Sequence, residues 1–119
     1  MAYVDGFLLA IPRRKLGLYR QIARKAGKLW MEHGALEYRE CVGDDYRATG
    51  MVPFPKRARA KAGEAVVFSW IVYKSRAHRD RVNQKVMGDP RMQKMMQPDA
   101  MPFDVKNMAY GGFKVIVDL

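Results

Sequence analysis

Two stretches of this chain are apolar on both sides, and they constrain the fold more than any other feature. Residues Ala65 to Tyr73 (AVVFSWIVY) are β-branched and aromatic almost throughout, the composition of a strand. Successive side chains of a strand point to opposite faces of its sheet. Here one set is Val66, Phe68, Trp70 and Val72, and the other is Val67, Ile71 and Tyr73. Tyr3 to Ile11 (YVDGFLLAI), closed by Pro12, repeats the pattern. Tyr3, Phe7, Leu9 and Ile11 fall on one side, and Val4, Leu8 and Ala10 on the other. A strand with one face in water reads polar at alternate positions. Neither of these does, so both faces of the sheet centre call for cover.

The remaining segments supply only part of it. Arg13 to His33 is amphipathic at helical spacing: Leu16, Tyr19, Ile22, Ala23, Ala26, Leu29 and Trp30 form the apolar stripe, with Arg20, Arg24, Lys25 and Lys28 opposite. Gly34 stands at the C-cap. Leu36 to Val42 alternates as a half-buried strand. Gly43 to Glu64, with Pro53, Pro55 and the basic residues Lys56, Arg57, Arg59 and Lys61, reads as a long excursion between strands. Ser75 is a good N-cap for a helix from Arg76 to Met87, broken by Gly88, Asp89 and Pro90. A short helical piece, Pro90 to Gln97, and a loop, Pro98 to Met108, follow. Phe113 to Val117 is expected as the last strand, entered through Gly111 and Gly112.

The order β-α-β-β-α-β predicts an α+β, ferredoxin-like domain over residues 1–119: a four-stranded antiparallel sheet with both helices on one face. The other face, about 400 Å² in projection, lies at the upper end of the apolar patches that monomers expose. A second copy of the same sheet is the simplest cover, giving a homodimer through the open face and a dimeric α/β barrel.

Composition bounds the function loosely. With 119 residues, 49% apolar and 29% charged, the chain suits a single globular domain and not a disordered one. Its single cysteine, Cys41, allows no intrachain disulfide and suggests a reducing, cytoplasmic setting. No segment has the ~20 apolar residues of a membrane helix, and no membrane partner is expected. The net charge of +10 favours encounters with polyanions, but a solvated basic surface that aids solubility is the better explanation. The basic residues are spread over several elements, which suits nonspecific contact with nucleic acid rather than base readout.

Five residues are candidates for chemistry. Glu40 and Cys41 adjoin on the second strand and therefore face opposite ways. Glu40, with Asp44 and Asp45, offers either paired carboxylates for a cation or acid–base work, or ordinary turn chemistry beside Gly43. Cys41 is either a thiolate in a positive setting or a small buried hydrophobe. His33 is either a general base, if Glu37 approaches it, or a helix-terminal residue favoured by the dipole. Asp104 and Tyr110 approach the last strand, where a carboxylate and a phenol at the rim of an apolar cavity would orient a small ligand; equally, they cap a turn and seal a dimer. Met87, Met92, Met95, Met96 and Met101 suit either a plastic lid or ordinary packing. The spacing of the two histidines gives no metal motif, and no cofactor is expected. Gly111-Gly112 lacks the strand–loop–helix setting and the Lys-Ser/Thr of a phosphate loop.

Several blocks carry a family resemblance. Tyr3-Val-Asp-Gly-Phe7, Val67-Phe-Ser-Trp-Ile71, Gly88-Asp-Pro-Arg-Met92, Pro102-Phe-Asp104 and Met108-Ala-Tyr-Gly-Gly-Phe113 resemble, in that order, segments of the bacterial YbaA-like family. The resemblance spans nearly the whole chain. It implies a ferredoxin-like fold and membership of the dimeric α/β-barrel superfamily, and it implies no reaction. That superfamily includes cofactor-free monooxygenases, haem-degrading enzymes, isomerising enzymes and ligand sensors, and this sequence matches none of their catalytic patterns. Two expectations result: a small-molecule pocket beside the sheet, binding or transforming its ligand, or a noncatalytic module that meets RNA or another polyanion.

Overall fold

The computed structural model describes residues 1–97 and 105–119. Four strands, β1 (Tyr3–Pro12), β2 (Glu37–Val42), β3 (Glu64–Tyr73) and β4 (Ala109–Lys114), form one antiparallel sheet in the order β2-β3-β1-β4. The two doubly apolar strands pair at its centre, Tyr3 opposite Tyr73 and Ile11 opposite Ala65. The long helices α1 (Leu16–Glu32) and α3 (Arg76–Met87) are joined by the short α2 (Phe54–Arg57) and α4 (Pro90–Met95). This is the ferredoxin-like order predicted from the strand and helix pattern.

The local signals act where they are expected. The Ser75 hydroxyl accepts from the His78 backbone N–H, capping α3, and the Asp89 carboxylate accepts from the Arg91 N–H, capping α4. Gly34 takes φ +118°, a conformation that costs a residue without Cβ little, and lets the chain leave α1 for β2.

Three boundaries differ from expectation. Arg13–Lys15 forms a tighter 3-10 turn before α1 begins. The 43–64 excursion contains α2, and it folds over one end of the open sheet face, where Phe54 meets Phe68 edge-on at 5.8 Å. The last strand is Ala109–Lys114, not Phe113 to Val117, so the glycine pair lies inside it. Packing accounts for the shift. Gly111 pairs with Gly6, and a Cβ on Gly112 would run into the Tyr3 ring. The glycines read as an entry turn are the small residues that let β4 lie against β1.

The helix-side core has two parts. Tyr3, Leu29, Ala35, Ile71, Tyr73, Val82, Val86 and Met92 form one cluster. Leu9, Ile11, Tyr19, Ala23 and Val67 form the other, and Phe7 packs against both. α1 approaches the sheet most closely at Gly27, where an added Cβ would stand 2.6 Å from the Tyr38 ring, whereas one on Gly17 would meet nothing within 4 Å. Replacing an exposed helical glycine by alanine gains up to ~1 kcal/mol, while overpacking costs about 1–3 kcal/mol. Gly17→Ala is therefore expected to raise the thermal midpoint and Gly27→Ala to lower it. Equal gains from both in calorimetry would contradict this packing.

Candidate functional site

Helices on one side place the odd-numbered residues of β1 and β3 and the even-numbered residues of β2 and β4 beneath them. Most are apolar. Asp5, Ser69, Glu40 and Lys114 are not, and the first three line a cavity of about 380 Å³ between the sheet and the helices. Its walls come from both core clusters: Leu9, Tyr19 and Ala23 from one, Ile71 and Met92 with Trp30 from the other, and Phe7 between. Met87, Met95, Met96 and Met108 complete a largely thioether side.

Asp5 sits in the middle of a central strand with only 1% of its surface exposed. Burial raises its carboxyl above the ordinary value, and the charge of Arg79 offsets part of that rise. Arg79 reaches it from α3, donating from Nη1 to Asp5 Oδ1 at 2.9 Å and to Tyr110 Oη at 2.7 Å. The same guanidinium lies 4.9 Å over the Tyr3 ring. Asn83, one turn further along α3, accepts from Trp30 Nε1 and Tyr73 Oη, each at 3.0 Å. Burial, and then the Asp5 charge, push the Tyr73 and Tyr110 phenols upward, so both remain O–H donors at neutral pH.

A second carboxylate is held differently. Glu40, near the cavity mouth, accepts from Tyr19 Oη at Oε1 and from Tyr38 Oη at Oε2, each at 2.7 Å. Burial, then the Glu40 charge, raise both phenols well above their usual range. Ser69 is buried against the cavity.

The sequence candidates separate. Glu40 and Tyr110 both line this cavity, while Cys41 faces the other way, half-buried and without a disulfide beside residues 42–54. Asp104 lies outside the described residues. His33 does not meet Glu37, which pairs with Arg39 on the open face; its Nε2 lies 2.9 Å from Asp89 Oδ2 instead. The turn between α3 and α4 carries Asp89 there and leaves Glu37 on the opposite side of the sheet. The side-chain oxygens of Glu32 and Asp89 and a His33 nitrogen lie within 4.8 Å of one another, a ligand-like grouping. Arg91, however, donates to both carboxylates and supplies the positive charge there. Arg91 first, then His33, hold the Asp89 carboxyl well below its usual range. The grouping is an ionic clasp between the end of α1 and the start of α4.

Sequence reasoning missed Asp5, Arg79, Tyr19, Tyr38 and Asn83. The available signal was Asp5 itself, a lone acid among the inward positions of an otherwise apolar strand.

No helix among the described residues is long and apolar enough to cross a membrane. A model of the family described as "Protein of unknown function (DUF1428)" matches residues 2–105. The chain is 47% identical over 118 residues to the "Uncharacterized protein YbaA" of Escherichia coli (strain K12), covering 99% of each. The YbaA proteins of Escherichia coli O157:H7 and Shigella flexneri match to the same extent. Among solved structures, a de novo designed protein, Foldit4, aligns with TM-score 0.44 and 11% identity over 95% of this chain and 94% of its own. The chain belongs to the DUF1428 family.

Removing one member of a buried ion pair leaves the other charge uncompensated, a loss of about 3–5 kcal/mol. Arg79→Met is expected to destabilise by somewhat less, about 2–4 kcal/mol at neutral pH, because Asp5 can take up a proton. A carboxyl whose folded pKa is raised loses stability as pH climbs above its unfolded value of about 3.9 and recovers it on acidification. The deficit of the variant in urea titrations should therefore narrow as pH falls from 7 towards 4. A deficit that stays constant across this range would contradict the pairing.

Proposed function

We propose that this DUF1428-family chain binds a small, largely apolar molecule in the cavity between its sheet and helices, and that it does so as a homodimer. The cavity itself carries the first half. At about 380 Å³ it falls within the size range of small-molecule sites. It also has their composition: aromatic and thioether walls with a few polar groups at fixed positions. The polar groups fall in two places, Asp5–Arg79–Tyr110 and Tyr19–Glu40–Tyr38. Each holds its carboxylate on geometry set by rigid elements, which suits orientation of a ligand. If the molecule is also transformed, these two carboxylates are the groups placed to exchange protons with it.

The open face supports the second half. Val4, Leu8, Phe68, Trp70, Val72 and Phe113 line a shallow apolar concavity there. The Phe68 and Trp70 rings meet at a tilt, 5.7 Å between centroids, and Phe113 is 61% exposed. Covering about 400 Å² of such surface is worth on the order of 10 kcal/mol before association entropy is subtracted. A second copy of the sheet fits that need and would place the protein in the dimeric α/β-barrel superfamily. The free Cys41 fits a reducing, cytoplasmic setting. Contact with RNA or another polyanion is the alternative. The basic side chains of α1, α2 and α3 lie apart, which suits only salt-sensitive, nonspecific association.

Two measurements test the proposal. Sedimentation at micromolar concentration is expected to give twice the 13.7 kDa chain mass, and Phe113→Asp to give the monomer; a stable wild-type monomer would overturn the dimer. In a thermal-shift screen of metabolites, at least one compound is expected to raise the melting temperature. That shift should vanish in Ala26→Leu, which narrows the cavity. A screen without any shift would overturn the binding proposal.

A further inference from the structure

We infer that the cavity's ligand is an amphiphilic amine, with its apolar body among the aromatic and methionine side chains and its ammonium against Glu40. This rests on the proposal that the cavity binds a small molecule, and it names that molecule's chemistry.

The charge balance of the lining carries the inference. The chain holds 22 lysines and arginines against 12 acidic residues, yet none of the 22 is among the described residues that line the cavity. Two carboxylates are. Asp5 is matched by Arg79 at 2.9 Å, behind the wall. Glu40 has no such match: among the described residues no lysine, arginine or histidine stands within ion-pair distance of it. Its partners are two neutral phenols, Tyr19 and Tyr38. Each phenol uses one acceptor position, and an ionised carboxylate offers about four, so roughly two remain. The unmatched charge of the cavity is therefore negative, in a protein that is strongly positive elsewhere.

The surroundings of Glu40 suit a cation further. The Tyr38 ring beside it pairs at a tilt with Trp30, 6.1 Å between centroids, and Phe7 and Tyr110 pair at 5.1 Å across the cavity. Aromatic faces attract organic cations, and thioethers accommodate their apolar stems. An anionic ligand would meet two carboxylates without a free cation and would lose its hydration uncompensated. A neutral ligand would leave the charge of Glu40 without a counter-charge from the cavity. Glu40 is exposed at the mouth, so its charge is only lightly desolvated.

Three probes of one shape and different charge test this on the intact protein at neutral pH: tryptamine, 3-ethylindole and indole-3-propionate. Calorimetric titration is expected to rank tryptamine tightest, about tenfold ahead of 3-ethylindole, the ratio one charge-assisted hydrogen bond provides. Indole-3-propionate should be weakest. Glu40→Gln should bring the first two within about twofold of each other while keeping the indole bound. Should Glu40→Gln fold poorly, the wild-type ranking decides alone. Equal binding of amine and neutral probe, or preference for the acid, overturns the inference and leaves the cavity proposal standing. If no amine binds but neutral compounds from a wider screen do, the result is the same. If nothing binds at all, both fall.

Discussion

A carboxylate in the middle of a central strand is tenable only if something pays for its desolvation, and here Arg79 does so. Asp5 lies beneath the helices, at the one inward position of β1 that is not apolar. Its partner comes from the second long helix, so the ion pair fixes α3 over the sheet at one register. The same guanidinium holds Tyr110 on β4 and covers Tyr3 on β1. One interaction thus ties a helix to two strands. Asn83, one turn further along, adds Trp30 of α1 and Tyr73 of β3. The helix layer is aligned on the sheet by polar contacts that run through an otherwise apolar interface, and the cavity is the space these contacts keep open.

The fold was largely legible because its signals are local. Double-parity apolar strands, a glycine after α1 and a Ser75 cap before α3 each act within a few residues, and all appear as read. The last strand was misplaced because its glycines answer to a distant tyrosine. Nothing near Gly112 in the chain reveals that Tyr3 will lie against it. Composition suggested a turn where tertiary contact required a strand.

The site was less legible, for the same reason. Glu40 and Tyr110 were singled out by residue type and approximate position, and the structure brings both to one cavity. Their partners could not be named, since Tyr19 is 21 residues from Glu40 and Arg79 is 74 from Asp5. Glu37 was offered to His33 because it is near in sequence, whereas Asp89 takes that place from 56 residues away. Short-range proximity is a poor guide to side-chain pairing once a strand has turned alternate residues to opposite faces.

The divided core has a consequence for how the molecule resists unfolding. Two apolar clusters share Phe7, and residues of both line the cavity. β1, β3 and α1 run through both clusters, while the cavity interrupts their side-chain packing. A molecule lodged there would touch both and act as the missing keystone. It would then stabilise the domain by mass action and also make its two ends lose structure in a single step rather than separately. Amide exchange resolved along β1, faster near Phe7 in the empty protein and evened out on filling, would be the physical signature of a core completed by its guest.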